Sequence, residues 1–173
     1  MAKAAGAAVT SAGSPEKLEF CRQLGADLAL NYKVDDIPEG LRAASAEGID
    51  VWFETQREPD LEVAVPLLRK RGRMILMAGR SARPTLPLGS FYPRDCALLG
   101  FAMFNASPDE QRRCADDIGE WVEAGMLKAN VGRIFPLAES AAAEQFLEEN
   151  TIGGAGTLRG KVVIRVEETE ALQ

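Results

Sequence analysis

Short apolar runs alternate with stretches of helical spacing along most of the chain. The runs that predict strands are 7–13, 27–32, 49–55, 73–79, 96–104 and 160–166. Apolar residues at helical spacing predict helices over 15–24, 36–45, 60–70, 107–122 and 137–149. This alternation is typical of an open, mostly parallel α/β sheet with flanking helices and right-handed crossovers. Ligands of such sheets bind at the carboxyl ends of the strands.

Local signals predict several helix ends. Ser14 can cap a helix whose first turn holds Pro15, since the missing N–H of proline would be unpaired there anyway. Ser107 and Glu110 have the spacing of a capping box, which makes the helix that follows the clearest in the chain. Pro66 lies inside the helix predicted over 60–70, so it should kink that helix or remove one turn.

The composition describes one acidic domain of ordinary size. The 173 residues carry 20 basic and 26 acidic side chains, a net charge of −6, which argues against a nucleic-acid partner. No window approaches the ~18 uninterrupted apolar residues of a membrane span, so we expect no membrane partner. The chain has no histidine. This excludes Ser-His-Asp and Cys-His nucleophiles and paired-histidine zinc sites.

The cysteines Cys21, Cys96 and Cys114 stand far apart in the sequence. No C-x-x-C pair exists to hold a structural zinc or a redox disulfide, so we expect no metal site and three buried, unpaired thiols. The first residues resemble neither a secretion signal nor a transit peptide. We therefore expect a cytoplasmic location.

Two segments are candidates for binding a nucleotide. The glycine cluster 153–160 follows a predicted helix and precedes a predicted strand, the reverse of a dinucleotide fingerprint, so it is better explained as a connection. The stronger candidate follows the first strand, where Ser14 and Lys17 offer a hydroxyl and a cation suited to a 2′-phosphate. That chemistry favours NADP over NAD, although a helix cap and a solvated lysine explain the two residues equally well.

Several segments together resemble a known family. They are Thr10-Ser-Ala-Gly-Ser-Pro-Glu-Lys17, Leu24-Gly-Ala-Asp-Leu-Ala-Leu-Asn-Tyr-Lys33, Ile49-Asp-Val-Trp-Phe-Glu-Thr55, Gly72-Arg-Met-Ile-Leu-Met-Ala-Gly79 and Gly160-Lys-Val-Val-Ile164. They resemble, in order along nearly the whole chain, the cofactor domain of the zinc-independent quinone oxidoreductases of the medium-chain dehydrogenase/reductase superfamily. The resemblance implies a truncated Rossmann-type parallel sheet and NADPH as the cofactor.

The resemblance also implies a set of cofactor-binding residues. In chain order they are Ser14, Lys17, Tyr32, Thr55, Ala78, Gly79 and Phe101. By resemblance, the first two hold the 2′-phosphate of NADPH with the tyrosine beside it, and the other four lie near the nicotinamide ribose and ring. No catalytic side chain is implied, because the cofactor supplies the hydride. The alternative explanation of Phe101 and Phe104 is that both are core residues.

The same resemblance implies that parts of the family fold are missing. Full-length members begin with a substrate domain, followed by the first Rossmann strand and its glycine-rich turn, and we expect none of these in this chain. We expect a partial NADP-binding domain at 1–136 and, at 137–173, a helix and strand that in relatives return to the substrate domain. Loss of the central strand leaves open edges at 7–12 and 49–55. We expect these strands to pair directly, or a second chain to supply the lost strand.

One segment departs from the family pattern. Relatives usually have glycines at 56–59, which let the backbone approach the cofactor, whereas this chain reads Gln-Arg-Glu-Pro. Arg57 and Glu58 could obstruct the cofactor there or make a new contact.

Two functions from different classes fit these features. The first is the cofactor portion of an NADPH-dependent quinone or enone oxidoreductase, which needs a missing substrate domain or partner chain. The second is a non-catalytic dimerisation or binding module. In relatives the strand matching 96–104, which begins at Cys96 and ends at Phe104, pairs with its copy in a homodimer. A short-chain dehydrogenase is disfavoured, because no Tyr-x-x-x-Lys pair is present.

Overall fold

The computed structural model describes residues 1–3, 5–8, 10–13 and 15–166 of the chain. Its strands are β1 (Thr10–Gly13), β2 (Leu28–Asn31), β3 (Ile49–Glu54), β4 (Leu68–Leu76), β5 (Ala97–Gly100), β6 (Val131–Pro136) and β7 (Lys161–Arg165). Its helices are α1 (Pro15–Gln23), α2 (Ile37–Ala44), α3 (Leu61–Ala64), α4 (Leu88–Phe91), α5 (Pro108–Glu123) and α6 (Ser140–Thr151). The strand pairs β1–β2, β3–β4, β4–β5 and β6–β7 are parallel. The predicted α/β class, with a parallel sheet and flanking helices, is confirmed.

The strands form three separate sheets within the described part of the chain. β1 pairs with β2, β4 lies between β3 and β5, and β6 pairs with β7. The chain divides into two compact units, Met1–Asp117 and Ile118–Gln173. The first two sheets therefore belong to the first unit, and the pair β6–β7 belongs to the second.

β1 and β3 each have one edge with which no strand of the described residues pairs. The sequence predicts either that these two strands pair directly or that a second chain supplies a strand. The two strands do not pair with each other, so the first alternative is wrong for the described residues. The second alternative concerns another polypeptide and stays a prediction.

Two clusters of buried apolar side chains stabilise the first unit. The cluster around β4 consists of Leu61, Ala64, Val65, Leu68 and Met74. In the other cluster, Leu30 of β2 packs with Leu41 of α2 and with Leu67. Ile49 and Trp52 of β3 lie against this second cluster. The two sheets of the first unit are thus joined through α2, although their strands do not pair.

The helix predicted over 60–70 is much shorter in the structure. α3 is followed by a 3-10 turn over Val65–Leu67, which leads directly into β4. Pro66 ends the helix because its ring has no N–H to donate and collides with the preceding turn. The prediction that proline shortens this helix is confirmed, and β4 consequently begins before the predicted start at 73.

Two strands differ from the sequence-based prediction. The strand predicted over 96–104 is limited to β5, and Met103–Asn105 form a 3-10 turn. Phe101 and Phe104 are 49% and 84% exposed, so their explanation as core residues is wrong. Sequence reasoning misses β6, because Phe135 is its single buried residue and no alternating apolar pattern results.

In the second unit, α6 packs on the pair β6–β7. The ring centroids of Phe135 in β6 and Phe146 in α6 lie 6.0 Å apart. The Arg133 guanidinium lies 4.6 Å and 4.7 Å from these two centroids. Because β6 pairs with β7, the structure groups β6 with the C-terminal strand rather than with the segment before it. The assignment of functional parts to 1–136 and 137–173 stays a prediction.

Candidate functional site

The carboxyl ends of the strands in the first unit form the edge where a ligand is expected. Each of its two sheets has a starting strand, β1 or β3, from which the chain winds outward to the next strand. In the doubly wound order that the resemblance implies, β1 and β3 lie on either side of the central strand, and the winding direction reverses between that strand and β3. We call this point the switch point, and ligands of open α/β sheets bind in the crevice there.

On the β1 side, the candidate residues lie close to strand ends. Ser14 lies outside the described residues. Lys17 is in the first turn of α1, directly after β1, and its side chain is partly buried. Tyr32 follows the last residue of β2 and is 58% exposed. Lys17 and Tyr32 therefore both lie beyond the carboxyl ends of the paired strands β1 and β2.

On the β3 side, a buried carboxylate fixes the loop that follows the strand. Glu54, the last residue of β3, is only 5% exposed. Its two carboxylate oxygens accept hydrogen bonds from Trp52 Nε1 at 3.0 Å and from the Gln56 backbone N–H at 2.7 Å. Its backbone carbonyl also accepts a hydrogen bond from the N–H of Met77. Thr55 lies between these anchored positions with an exposed side chain.

Gly79 brings the loop after β4 against the loop after β3. It has a φ of +80°, a conformation that side chains with a Cβ rarely adopt. A Cβ at Gly79 would lie 3.0 Å from the Arg57 carbonyl oxygen and 3.2 Å from Pro59 Cδ. The close approach of the two loops therefore requires glycine at this position. Ala78, just before it, is exposed.

Phe101 completes the group at the end of the three-stranded sheet. Its backbone N–H donates a hydrogen bond to the Leu76 carbonyl at 2.9 Å, which holds the chain beside β4 just after β5 ends. Its ring is 49% exposed. Thr55, Ala78, Gly79 and Phe101 thus follow the carboxyl ends of three neighbouring strands.

Two cations of this edge, Lys17 and Arg57, have side chains that form no hydrogen bond or ion pair among the described residues. One follows β1 and the other follows β3. In the strand order that the resemblance implies, these two strands lie on opposite sides of the switch point. Sequence reasoning misses Glu54, although a carboxylate that ends an apolar strand is a visible signal. It treats Arg57 as a departure from the family pattern rather than as a site residue.

The other sequence candidates are accounted for without a ligand. The glycine cluster 153–160 connects α6 to β7, and Asn150 Oδ1 accepts hydrogen bonds there from Thr157 Oγ1 and the Leu158 N–H.

Within the described ranges, no three Cys, Asp or Glu residues lie together as metal ligands. The same ranges contain no helix that is both long and apolar enough to cross a membrane. Cys114 is exposed, so the expectation of three buried thiols is wrong.

Comparison with known proteins finds relatives over most of the chain. A family profile described as zinc-binding dehydrogenase matches residues 1–120. The 2-haloacrylate reductase of a Burkholderia species is 29% identical over 166 residues, which cover 90% of this chain and 47% of that protein. The quinone oxidoreductase of Homo sapiens is 26% identical over 155 residues, which cover 89% of this chain and 45% of that protein.

A solved structure shows the same relation in three dimensions. The crystal structure of an NAD-dependent alcohol dehydrogenase matches with a TM-score of 0.76 at 31% identity, covering 96% of this chain and 46% of that one. The chain spans about half the length of the curated relatives it matches. The predicted resemblance to the quinone oxidoreductases is confirmed, and it covers their cofactor-binding portion.

Proposed function

Because the chain belongs to the zinc-binding dehydrogenase family, we propose that it is the cofactor-binding portion of an NADPH-dependent reductase of quinones or enones. The names of two relatives, 2-haloacrylate reductase and quinone oxidoreductase, support a substrate with an electron-poor double bond. The observation that carries the choice of cofactor is the position of Lys17, a cation in the first turn after β1 that has no ion-pair partner among the described residues. A cation at this point suits the 2′-phosphate that distinguishes NADPH from NADH.

The residues at the carboxyl edge fit a dinucleotide. Lys17 would hold the 2′-phosphate together with Ser14, and the exposed ring of Tyr32 would lie beside it. The close approach of the two loops at Gly79 would place the backbone of both loops beside the nicotinamide end. Thr55, Ala78 and Phe101 would line that end. When bound, NADPH supplies the hydride, and these residues orient the nicotinamide ring toward the substrate.

Calorimetric titration of the purified chain with NADPH and with NADH tests this proposal. We expect tighter binding of NADPH, and we expect the Ser14→Ala, Lys17→Ala double variant to bind NADPH at least about tenfold more weakly, because a charge-assisted phosphate contact is lost. The variant should bind NADH as the original chain does. Equal affinity of the original chain for the two cofactors would contradict the preference for NADPH, and binding of neither would contradict the function.

A second function, a dimerisation module without turnover, is favoured by one surface. β5 is an edge strand of its sheet. The segment from β5 onward exposes large apolar side chains: Leu99 at 47%, Phe101 at 49%, Met103 at 71% and Phe104 at 84%. An exposed apolar edge strand is suited to pairing with a second copy of the same strand. We include a homodimer through Cys96 to Phe104 in the proposal.

Light scattering on a Leu99→Arg variant tests the dimer. The original chain should have the mass of two copies at micromolar concentration, and the variant should have the mass of one, because arginine places a charge in the paired edge. Val34, 78% exposed on the loop after β2, offers a matched control. Val34→Arg should remain dimeric, whereas a monomeric original chain would contradict the proposal.

The open edges of β1 and β3 support a further part of the proposal, namely that a second polypeptide supplies the strand between them and the substrate-binding part. The same proposal includes hydride transfer that needs no zinc ion, although the family name includes zinc-binding. The cytoplasmic location expected from the sequence also stays a prediction.

A further inference from the structure

Arg57 lies in the loop after β3, one residue beyond a backbone N–H that is hydrogen-bonded. Its side chain is exposed and forms no ion pair or hydrogen bond among the described residues. The preceding residue, Gln56, donates its N–H to the buried Glu54 carboxylate at 2.7 Å. The Arg57 carbonyl lies against Gly79, where a Cβ would be only 3.0 Å away. The loop is therefore held by a hydrogen bond just before Arg57 and lies close against Gly79 at the Arg57 carbonyl.

The strand that precedes this loop borders the switch point. β3 has an open edge on the side away from β4, and Arg57 follows its carboxyl end by three residues in sequence. On the other side of the switch point, Lys17 follows β1. In the strand order that the resemblance implies, a dinucleotide extending over the carboxyl ends of both strands would therefore meet a cation at each of them. In doubly wound sheets, the crevice at the switch point is where the phosphates of a dinucleotide lie.

The chemistry of the two cations differs. A guanidinium presents paired N–H donors that match two phosphate oxygens at once, whereas an ammonium acts as a compact point charge. The two bridging phosphates of a dinucleotide offer several such oxygens. Glu58 is next in sequence and also exposed, and its carboxylate would repel an anion bound at the same place. The effects of the positive charge of Arg57 and of the negative charge of Glu58 can therefore be tested separately.

We propose that Arg57 binds the pyrophosphate of the dinucleotide, while Lys17 binds the terminal 2′-phosphate across the switch point. This inference rests on the proposed function. It assigns a ligand to a side chain that departs from the family pattern, in which glycines occupy this loop. The arginine would supply by its side chain the donors that a glycine-rich turn supplies by its backbone N–H groups.

NMR titration of the isotope-labelled chain with three nucleotides tests the assignment. NADPH contains both phosphate groups, ADP-ribose contains only the pyrophosphate, and adenosine 2′-monophosphate contains only the 2′-phosphate. Arg57→Gln should weaken binding of NADPH and ADP-ribose by about tenfold or more and leave adenosine 2′-monophosphate unchanged. Glu58→Gln should tighten NADPH and ADP-ribose. Arg112→Gln, at an exposed position of α5, serves as the matched control and should change none of the three.

The outcomes separate this inference from the proposed function. If the original chain binds none of the three nucleotides, the proposed function fails and the inference fails with it. If NADPH and ADP-ribose bind and Arg57→Gln leaves both affinities unchanged, the assignment of Arg57 alone is overturned. An equal loss of affinity for adenosine 2′-monophosphate would place Arg57 at the adenosine end and would also overturn it. The dispersion of the NMR spectrum of each free variant verifies its fold.

Discussion

One arginine side chain ties together three segments of the first unit. Arg94, which is partly buried, donates hydrogen bonds from its two Nη atoms to the carbonyls of Val65 at 2.8 Å and Leu68 at 2.6 Å, and from Nε to Ser90 at 2.8 Å. These carbonyls belong to the turn after α3, the start of β4 and the helix α4. The guanidinium therefore stabilises the junction that Pro66 creates by ending the helix early.

Arg94→Lys should destabilise the chain, because a single ammonium cannot reach carbonyl acceptors in all three directions. We expect the free energy of unfolding to fall by about 1–3 kcal/mol, since partly buried carbonyls lose their charged donors. Urea denaturation followed by circular dichroism measures this change. Arg83→Lys is the matched control, because Arg83 donates to the carbonyls of its neighbours Ser81 and Ala82 and to no other group in the described part of the chain. A similar loss in both variants would contradict the role of Arg94.

The residues of the candidate site differ in how visible they are from sequence. Lys17 and Gly79 occupy positions that the resemblance identifies, since Lys17 follows the strand predicted over 7–13 and Gly79 ends the strand predicted over 73–79. Glu54 could not be assigned a role in this way, because its partners Trp52 and Gln56 become visible only when the strand and the turn after it are built. The role proposed for Arg57 depends on the open edge of β3, and that edge becomes visible only when the pairing of distant strands is known.

At the scale of single elements, α5 begins where the sequence predicts. The Ser107 N–H and Oγ both donate to the Glu110 carboxylate, at 2.8 Å and 2.7 Å, and the Glu110 N–H donates back to Ser107 Oγ at 3.3 Å. This is the predicted capping box. The hydrogen bond from the Ser107 side chain, followed by the one from its backbone, lowers the pKa of Glu110 below its usual value.

Ser107→Ala should raise the pKa of Glu110 toward its usual value, because the larger of the two stabilising hydrogen bonds is removed. A carboxyl pKa that is lower in the folded state stabilises the fold at pH values above the usual pKa, and this stabilisation is lost as the pH falls through the lowered value. NMR titration of the Glu110 side-chain carboxyl signal measures the change. An unchanged pKa in the variant would show that the serine hydroxyl does not hold the carboxylate.

The elements that sequence reasoning predicts well have local causes. The capping box and Pro66 act within a few residues, so their effects are visible in the sequence alone. β6 depends instead on its parallel pairing with β7, and only Phe135 is buried, so no local pattern indicates it. The strand predicted over 96–104 is too long for the same reason. Apolar residues continue past Gly100, but they are exposed rather than paired.

At the scale of the whole molecule, β4 is the one strand of the described residues that is paired on both edges. Its side chains Leu68 and Met74 lie in the buried cluster of the first unit, with exposures of 1% and 0%. The strands β1 and β3 each have a neighbour on one side only. Stability should therefore be highest in β4 and lower toward the open edges.

Hydrogen exchange measured by mass spectrometry should show this order. We expect the slowest exchange in β4 and faster exchange in β1 and β3, because amides at an open edge are bonded to water. β1 or β3 exchanging as slowly as β4 in the free chain would contradict open edges.

The same measurement tests whether a second polypeptide supplies the missing strand. Co-expression with the N-terminal half of the Burkholderia 2-haloacrylate reductase provides a defined probe, since this chain matches 47% of that protein. Formation of a complex should slow exchange in β1 and β3 and leave β4 unchanged. A complex that leaves both edges exchanging as before would contradict the proposal.

The open edges also restrict which assemblies symmetry allows. A two-fold axis that continues a sheet sets the two copies of a strand antiparallel, which suits β5 meeting its own copy. A strand that extends the parallel order of β1 and β3 must instead run in the same direction as both. Two identical chains related by a two-fold axis cannot meet this requirement by pairing the same edge. By symmetry, the contact that suits β5 therefore cannot close the open edges of β1 and β3, so a dimer through β5 leaves both of these edges available to a parallel strand.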